Sequence, residues 1–176
     1  NGGSMNISAS ESVQVVDGGL ISLSTFGQGD ASNLTIDAKS ILIDSRESYF
    51  PTSILALVGF NATGKGGNIS LKAIDLIEVV NWGKIDVSTL GEGDAGSIQI
   101  ASRDVLIDGN GKNAKITANV DQDAIGNGGH LKITTSGSLE IVDGGSVSVS
   151  TFGTGDAGSM LINAGSLSID RRGNED

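Results

Sequence analysis

The feature that most constrains this chain is an internal repeat. The string STFGQGDAS at 24–32 returns as STLGEGDAGS at 88–97 and as STFGTGDAGS at 150–159. Ahead of each lies a second match: VQVVDGG from Val13, IEVVNWG from Ile77 and LEIVDGG from Leu139. Apolar-x-apolar pairs recur at Met5/Ile7, Leu34/Ile36, Ile69/Leu71, Ile98/Ile100, Leu131/Ile133 and Met160/Ile162. Their first members fall 29, 35, 29, 33 and 29 residues apart, so two unit types alternate with a super-period of 62 to 64 residues. Self-similarity at such a period marks a solenoid, in which each unit buries its apolar side only against its neighbours.

Each unit holds three short segments of period-2 alternation, bounded by Gly, Asp, Asn and Ser. In the first unit they are Met5-x-Ile7, Val13-x-Val15 and Ile21-x-Leu23; in the fifth, Leu131-x-Ile133, Leu139-x-Ile141 and Val147-x-Val149. Such segments read as strands, and no stretch sustains a 3.6-residue period. The sequence therefore predicts an all-β chain folded as a right-handed parallel β-helix, each coil adding about 4.8 Å of height. The predicted coils are 4–31, 32–67, 68–96, 97–129 and 130–158, with a partial coil at 159–176, in a single segment over 1–176. Aligning the units stacks Asp30, Lys65, Asp94, Asn127 and Asp156 in one turn. Lys65 and Asn127 then separate carboxylates that would repel at one-coil spacing. A second acidic turn falls on alternate coils, at Asp44, Asp108 and Asp170.

Composition narrows the function. The 27 glycines among 176 residues follow no Gly-X-Y register, and Pro51 is the single proline, which excludes collagen. The absence of cysteine excludes disulfides, thiolate metal sites and thiol nucleophiles. A net charge of -10 argues against nucleic acid as a partner. No apolar run approaches the ~20 residues of a spanning helix, so no membrane insertion is expected. The chain begins at Asn1 with no charged, then apolar, leader pattern, which fits a processed chain or a piece of a larger one.

The strings ISLSTFGQGDASNLTIDA and VSVSTFGTGDAGSMLINAGSLSI resemble the repeats of cyanobacterial filamentous-haemagglutinin-like exoproteins, the secreted partner of two-partner secretion systems. The alternate unit KNAKITANVDQDAIGNGGHLKI is similar to a second repeat type of the same proteins, and the resemblance covers essentially the whole chain. It implies the repeat shaft of a secreted adhesin, exported through an outer-membrane transporter to the cell surface. The roles it implies are adhesion, aggregation or a fibrous coat.

The candidate chemistry is sparse. The GxGDA turns carry Gly27, Gly29 and Asp30; Gly91, Gly93 and Asp94; and Gly153, Gly155 and Asp156. One carboxylate per turn is too few for a calcium loop, so these are expected to be structural turns, with Gly at positive φ and Asp bonding its own turn. Arg46-Glu47, Arg103-Asp104 and Asp121 with Asp123 are the acids outside the repeat register, and nothing marks a catalytic pair. His130 stands where other units have Asn68 or Ser97, as a surface substitution. Ser22, Ser24, Thr25, Ser88, Thr89, Ser148, Ser150 and Thr151 suggest an outward hydroxyl ladder. The one segment that breaks the pattern is 45–59, where Ile54, Leu55 and Leu57 are expected to supply the third strand. Tyr49, Phe50 and Pro51 bulge from it, and Trp82 occupies a corner where other units have Gly18 and Gly144. These four are the candidate contacts for a glycan or protein receptor.

The expected function is a non-enzymatic, cofactor-free and metal-free shaft, continuing into a longer chain or stacking end to end. The alternative is a carbohydrate-binding or carbohydrate-active β-helix.

Overall fold

The computed structural model describes residues 2–171, and the last predicted residues, 172–176, lie outside the described part. Among the described residues there is no helix; fifteen strands, all paired in parallel, wind into a β-solenoid. The first coil contributes β1 (Ser4–Ser8), β2 (Ser12–Val16) and β3 (Leu20–Ser22). The second has β4 (Asn33–Asp44) and β5 (Ser53–Leu55), and the third β6 (Ile69–Val80) and β7 (Lys84–Asp86). The fourth has β8 (Ser97–Ser102), β9 (Asp104–Asp108) and β10 (Lys115–Thr117). The fifth has β11 (His130–Thr135), β12 (Ser138–Val142) and β13 (Ser146–Ser148), and a partial sixth has β14 (Ser159–Asn163) and β15 (Ser166–Asp170). Strands one and two of every coil build a ten-stranded sheet, and strand three builds a five-stranded one.

The register places like on like. Met5, Leu34, Ile69, Ile98, Leu131 and Met160 form one inward ladder, and Ile7, Ile36, Leu71, Ile100, Ile133 and Ile162 the next. Ile21, Ile54, Ile85, Ile116 and Val147 line the third wall. The interior rungs are fully enclosed, each aliphatic side chain contributing about 1.5–3 kcal/mol by leaving water. Backbone bonds between coils hold the frame and aliphatic rungs fill it, which is why the core needs no aromatic residue.

In the second coil Ile54 and Leu55 lie in strand three as expected, and Leu57 falls beyond its end. Ile54, Ala56 and Val58 point inward, while Leu55 and Leu57 lie on the half-buried outer phase. One expectation about strand three is corrected: the threonines do not point outward. Thr25, Thr89 and Thr151 bridge to the buried Val58 and Val120 of neighbouring coils, and Thr89 is buried beside them.

Ser24 and Ser88 have a different task. At this position the next coil's N–H meets a side chain instead of a carbonyl. Leu57 N–H donates to Ser24 Oγ at 3.0 Å, Asn119 N–H to Ser88 Oγ at 2.9 Å and Ser150 N–H to Asn119 Oδ1 at 2.7 Å. These replacements preserve satisfied donors where the ladder is interrupted.

The coil types differ at their corners. In the odd coils strands two and three are joined by a tight turn, closed by Gly19, Gly83 and Gly145 N–H donating to the carbonyls of Val16, Val80 and Val142. The second and fourth coils carry longer loops there, at 45–52 and 109–114. The corner after strand three alternates likewise: two residues separate the bridging pairs Thr25/Gln28, Thr89/Glu92 and Thr151/Thr154, but four separate Val58/Thr63 and Val120/Ile125.

Candidate functional site

The GxGDA turns stack as the alignment requires. Their second glycines, Gly29, Gly93 and Gly155, sit at φ of 134°, 133° and 130°, and a Cβ on Gly93 would collide with the carbonyl of Gly64 on the neighbouring coil. Gly91 and Gly153 have another reason: the longer loop of the preceding coil overhangs them, so a Cβ would strike the carbonyls of Ala62 and Ala124. Gly27, in the first coil, has open space.

The carboxylates do not fold back onto their own turns; they reach across coils. Asp30 Oδ1 accepts from Lys65 N–H at 2.9 Å, and Asp94 Oδ1 from both Asn127 N–H and Asn127 Nδ2 at 2.9 and 3.0 Å. Asn127 Oδ1 in turn accepts from Asp156 N–H at 3.1 Å. Asp and Asn therefore act as rungs of an inter-coil hydrogen-bond ladder. Among the described residues, no three His, Asp or Glu side chains gather as a metal site.

Asp44, Asp108 and Asp170 also fall in register, separated by Val80 and Val142. Buried Asp44 is held by Arg46 Nε at 2.8 Å and Asn81 Nδ2 at 2.9 Å. Glu78, half-buried on the same face, has its carboxyl pushed up first by burial and then by the charge of Asp44. Arg103 bonds Asp104 at 2.9 Å and Asp75 at 3.3 Å across the corner between strands one and two. Asp104 is held below the usual carboxylate range, chiefly by Ser138 N–H and then by Arg103. His130 Nδ1 meets Ser159 Oγ at 2.6 Å on the exposed edge.

The predicted contact residues divide between two coils. Tyr49 is 93% exposed and Phe50 73%, on a loop with Pro51 half-buried. Gly18 N–H donates to Thr52 Oγ1 at 2.8 Å, and Ser48 and Phe50 pack toward Gly18 of the first coil. Trp82 belongs to the third coil, in the turn before β7. Trp82 is half-buried at φ 96°, in the seat that Gly18 and Gly144 occupy at 84° and 87°. A bulky residue is rare in this conformation.

Two groups escaped the sequence reading. Phe26, Phe60, Ile125 and Phe152 stand exposed along the corner after strand three, with half-buried Leu90 among them. Phe60, Leu90, Gln122, Asp123 and Ile125 line a groove there. The signal was phase: in Leu23-Ser24-Thr25-Phe26 the inward positions are Leu23 and Thr25, which sends Phe26 out.

The second group is a recessed charged face on strand three. Asp86 alternates outward yet is buried, with Lys84 Nζ at 2.7 Å and Ser88 N–H donating to Asp86 Oδ1 at 2.9 Å. Beside it in register, Thr117 is also buried, and its Oγ1 has no hydrogen-bond partner. The Asp121 carboxyl is pushed up by burial first, then by Asp86, with Lys84 and Lys115 opposing. Lys84, its register partner Lys115 and Asp86 share the outer phase of strand three, and their charges act on Asp121.

Compared with known protein-family models, curated proteins and solved structures, the chain matches none.

Proposed function

We propose that this chain is a length of rigid shaft in a secreted cell-surface adhesin or extracellular fibre. It acts mechanically and without catalysis, holding variable loops and distal domains away from the cell. The observation that carries this reading is the continuity of the core: aliphatic ladders repeat through every coil while only the corners alternate, so the body lengthens by adding units. In this reading the shaft belongs to a longer chain or stacks end to end with another copy. In this reading the chain passes an outer-membrane transporter of the two-partner type, unfolded and free of disulfides, and its charge of -10 keeps neighbouring shafts apart.

Antibodies against residues 2–171 test the reading on producing cells. Labelling of intact cells along projecting material is expected, whereas labelling only after lysis would overturn it. Light scattering addresses stacking, since a strictly monomeric segment at high concentration removes the end-to-end variant.

A further inference from the structure

The third coil departs from its near-identical partners on one face. The first and fifth coils read DGGLIS and DGGSVS where the third reads NWGKID. Trp82 thus replaces Gly18 and Gly144, Lys84 replaces Leu20 and Ser146, and Asp86 replaces Ser22 and Ser148. The inward residue between them is Ile85, against Ile21 and Val147, so the core ladder is unchanged. Nothing in coil stacking calls for these outer changes. Two of them oppose folding economy: Trp82 takes a glycine backbone conformation, and Asp86 places a carboxylate in a buried position. A bulky residue in a left-handed seat points to a role other than stability.

We infer that the outer face of the third and fourth coils, formed by Trp82, Lys84, Asp86, Lys115 and Asp121, is a binding site for a neutral oligosaccharide. The chemistry fits at each position. An indole half open to solvent is a stacking surface for the C–H face of a pyranose. Ammonium groups donate to sugar hydroxyls and oxygens, and Asp121 accepts from hydroxyls. Asp86 acts as a positioning residue, fixing the Lys84 ammonium at 2.7 Å. Thr117 is 8% exposed and its hydroxyl, like those of Ser102, Thr135 and Thr151, is enclosed without a partner, so it lies beneath the face and does not itself meet the ligand. Charge selects the class. On a chain of net -10, two lysines here balance two aspartates, so the face attracts neither a polyanion nor a polycation. This inference goes beyond the shaft reading and can fail while that reading stands.

A printed array of neutral hexose and N-acetylhexosamine oligosaccharides, with uronate- and sialic-acid-bearing glycans beside them, tests the site on the intact chain. Binding to neutral members is expected. Trp82→Gly, which installs the residue of the first and fifth coils, should weaken it about tenfold or more while leaving the unfolding midpoint unchanged or raised. The double variant Lys84→Ser/Asp86→Ser should lose it as well with the fold retained. No neutral glycan bound, binding confined to acidic glycans, or unaltered binding by both variants would overturn the inference.

Discussion

The first and fifth coils and the third coil share one backbone and differ on one face. Inside, all three present aliphatic side chains to the same ladders. Outside, glycine, serine and, in the first coil, Leu20 give way to Trp82, Lys84 and Asp86. The difference separates two kinds of constraint. Inward positions answer to the coils on either side and accept aliphatic residues or, at the ends of the strands, threonine. Outward positions answer mainly to solvent, so a single coil can carry its own chemistry without disturbing the stack.

The comparison can be broken from the inside first. Ile85→Ala removes a fully enclosed rung and should cost about 2–5 kcal/mol in urea unfolding. A cost under about 1 kcal/mol would mean that the ladder is loosely packed. The next largest effect comes from the outer face, where Lys84→Ser alone leaves Asp86 buried and without its ion-pair partner. It should cost about 1–3 kcal/mol, whereas removing both partners together should be nearly neutral. Equal losses for the single and double variants would show that the pair is not coupled.

Glu78 and Asp121 sharpen the comparison through pH. Their carboxyls are raised in the fold, so each opposes folding while ionised. That penalty is full above the folded value and is relieved as pH falls through it toward the ordinary carboxylate range. Glu78→Gln and Asp121→Asn should therefore raise stability at neutral pH, with the advantage shrinking on acidification. An advantage that grows on acidification would contradict this sign. The smallest effect belongs to Thr135, whose buried hydroxyl has no partner and which stands in register with Ser102. Thr135→Val should be neutral or stabilising by up to about 1 kcal/mol in the denaturation midpoint.

The coils, their alternation and the two acidic turns were legible because each unit repeats its own pattern. Asp30, Lys65, Asp94, Asn127 and Asp156 could be stacked by alignment alone, and the hydrogen bonds follow that order. What the aspartates bond was not legible, since local turn chemistry favours an aspartate bonding its own loop. Here the neighbouring coil stands nearer its carboxylate oxygens. Leu55 lies in strand three as expected, whereas Leu57 falls beyond its end. Thr25 and Thr151 misled because their polarity suggested the surface, while Val58 and Val120 on adjacent coils make the position interior. Trp82 was visible as an aromatic in a glycine corner. The face beside it was not, because Lys84 and Asp86 come beside Lys115 and Thr117 only once the third and fourth coils are stacked.

That stacking is open to direct measurement, because the chain has no cysteine of its own. Gln99 and Lys132 face solvent as partners on adjacent coils, 33 residues apart in sequence. Parallel register puts their Cα atoms within the roughly 4.4–6.8 Å that a disulfide spans, whereas Thr134 lies two positions further along. Gln99→Cys/Lys132→Cys is expected to oxidise readily in the folded protein, and Gln99→Cys/Thr134→Cys is not. Efficient cross-linking of the second pair, or failure of the first, would contradict the coil-on-coil register.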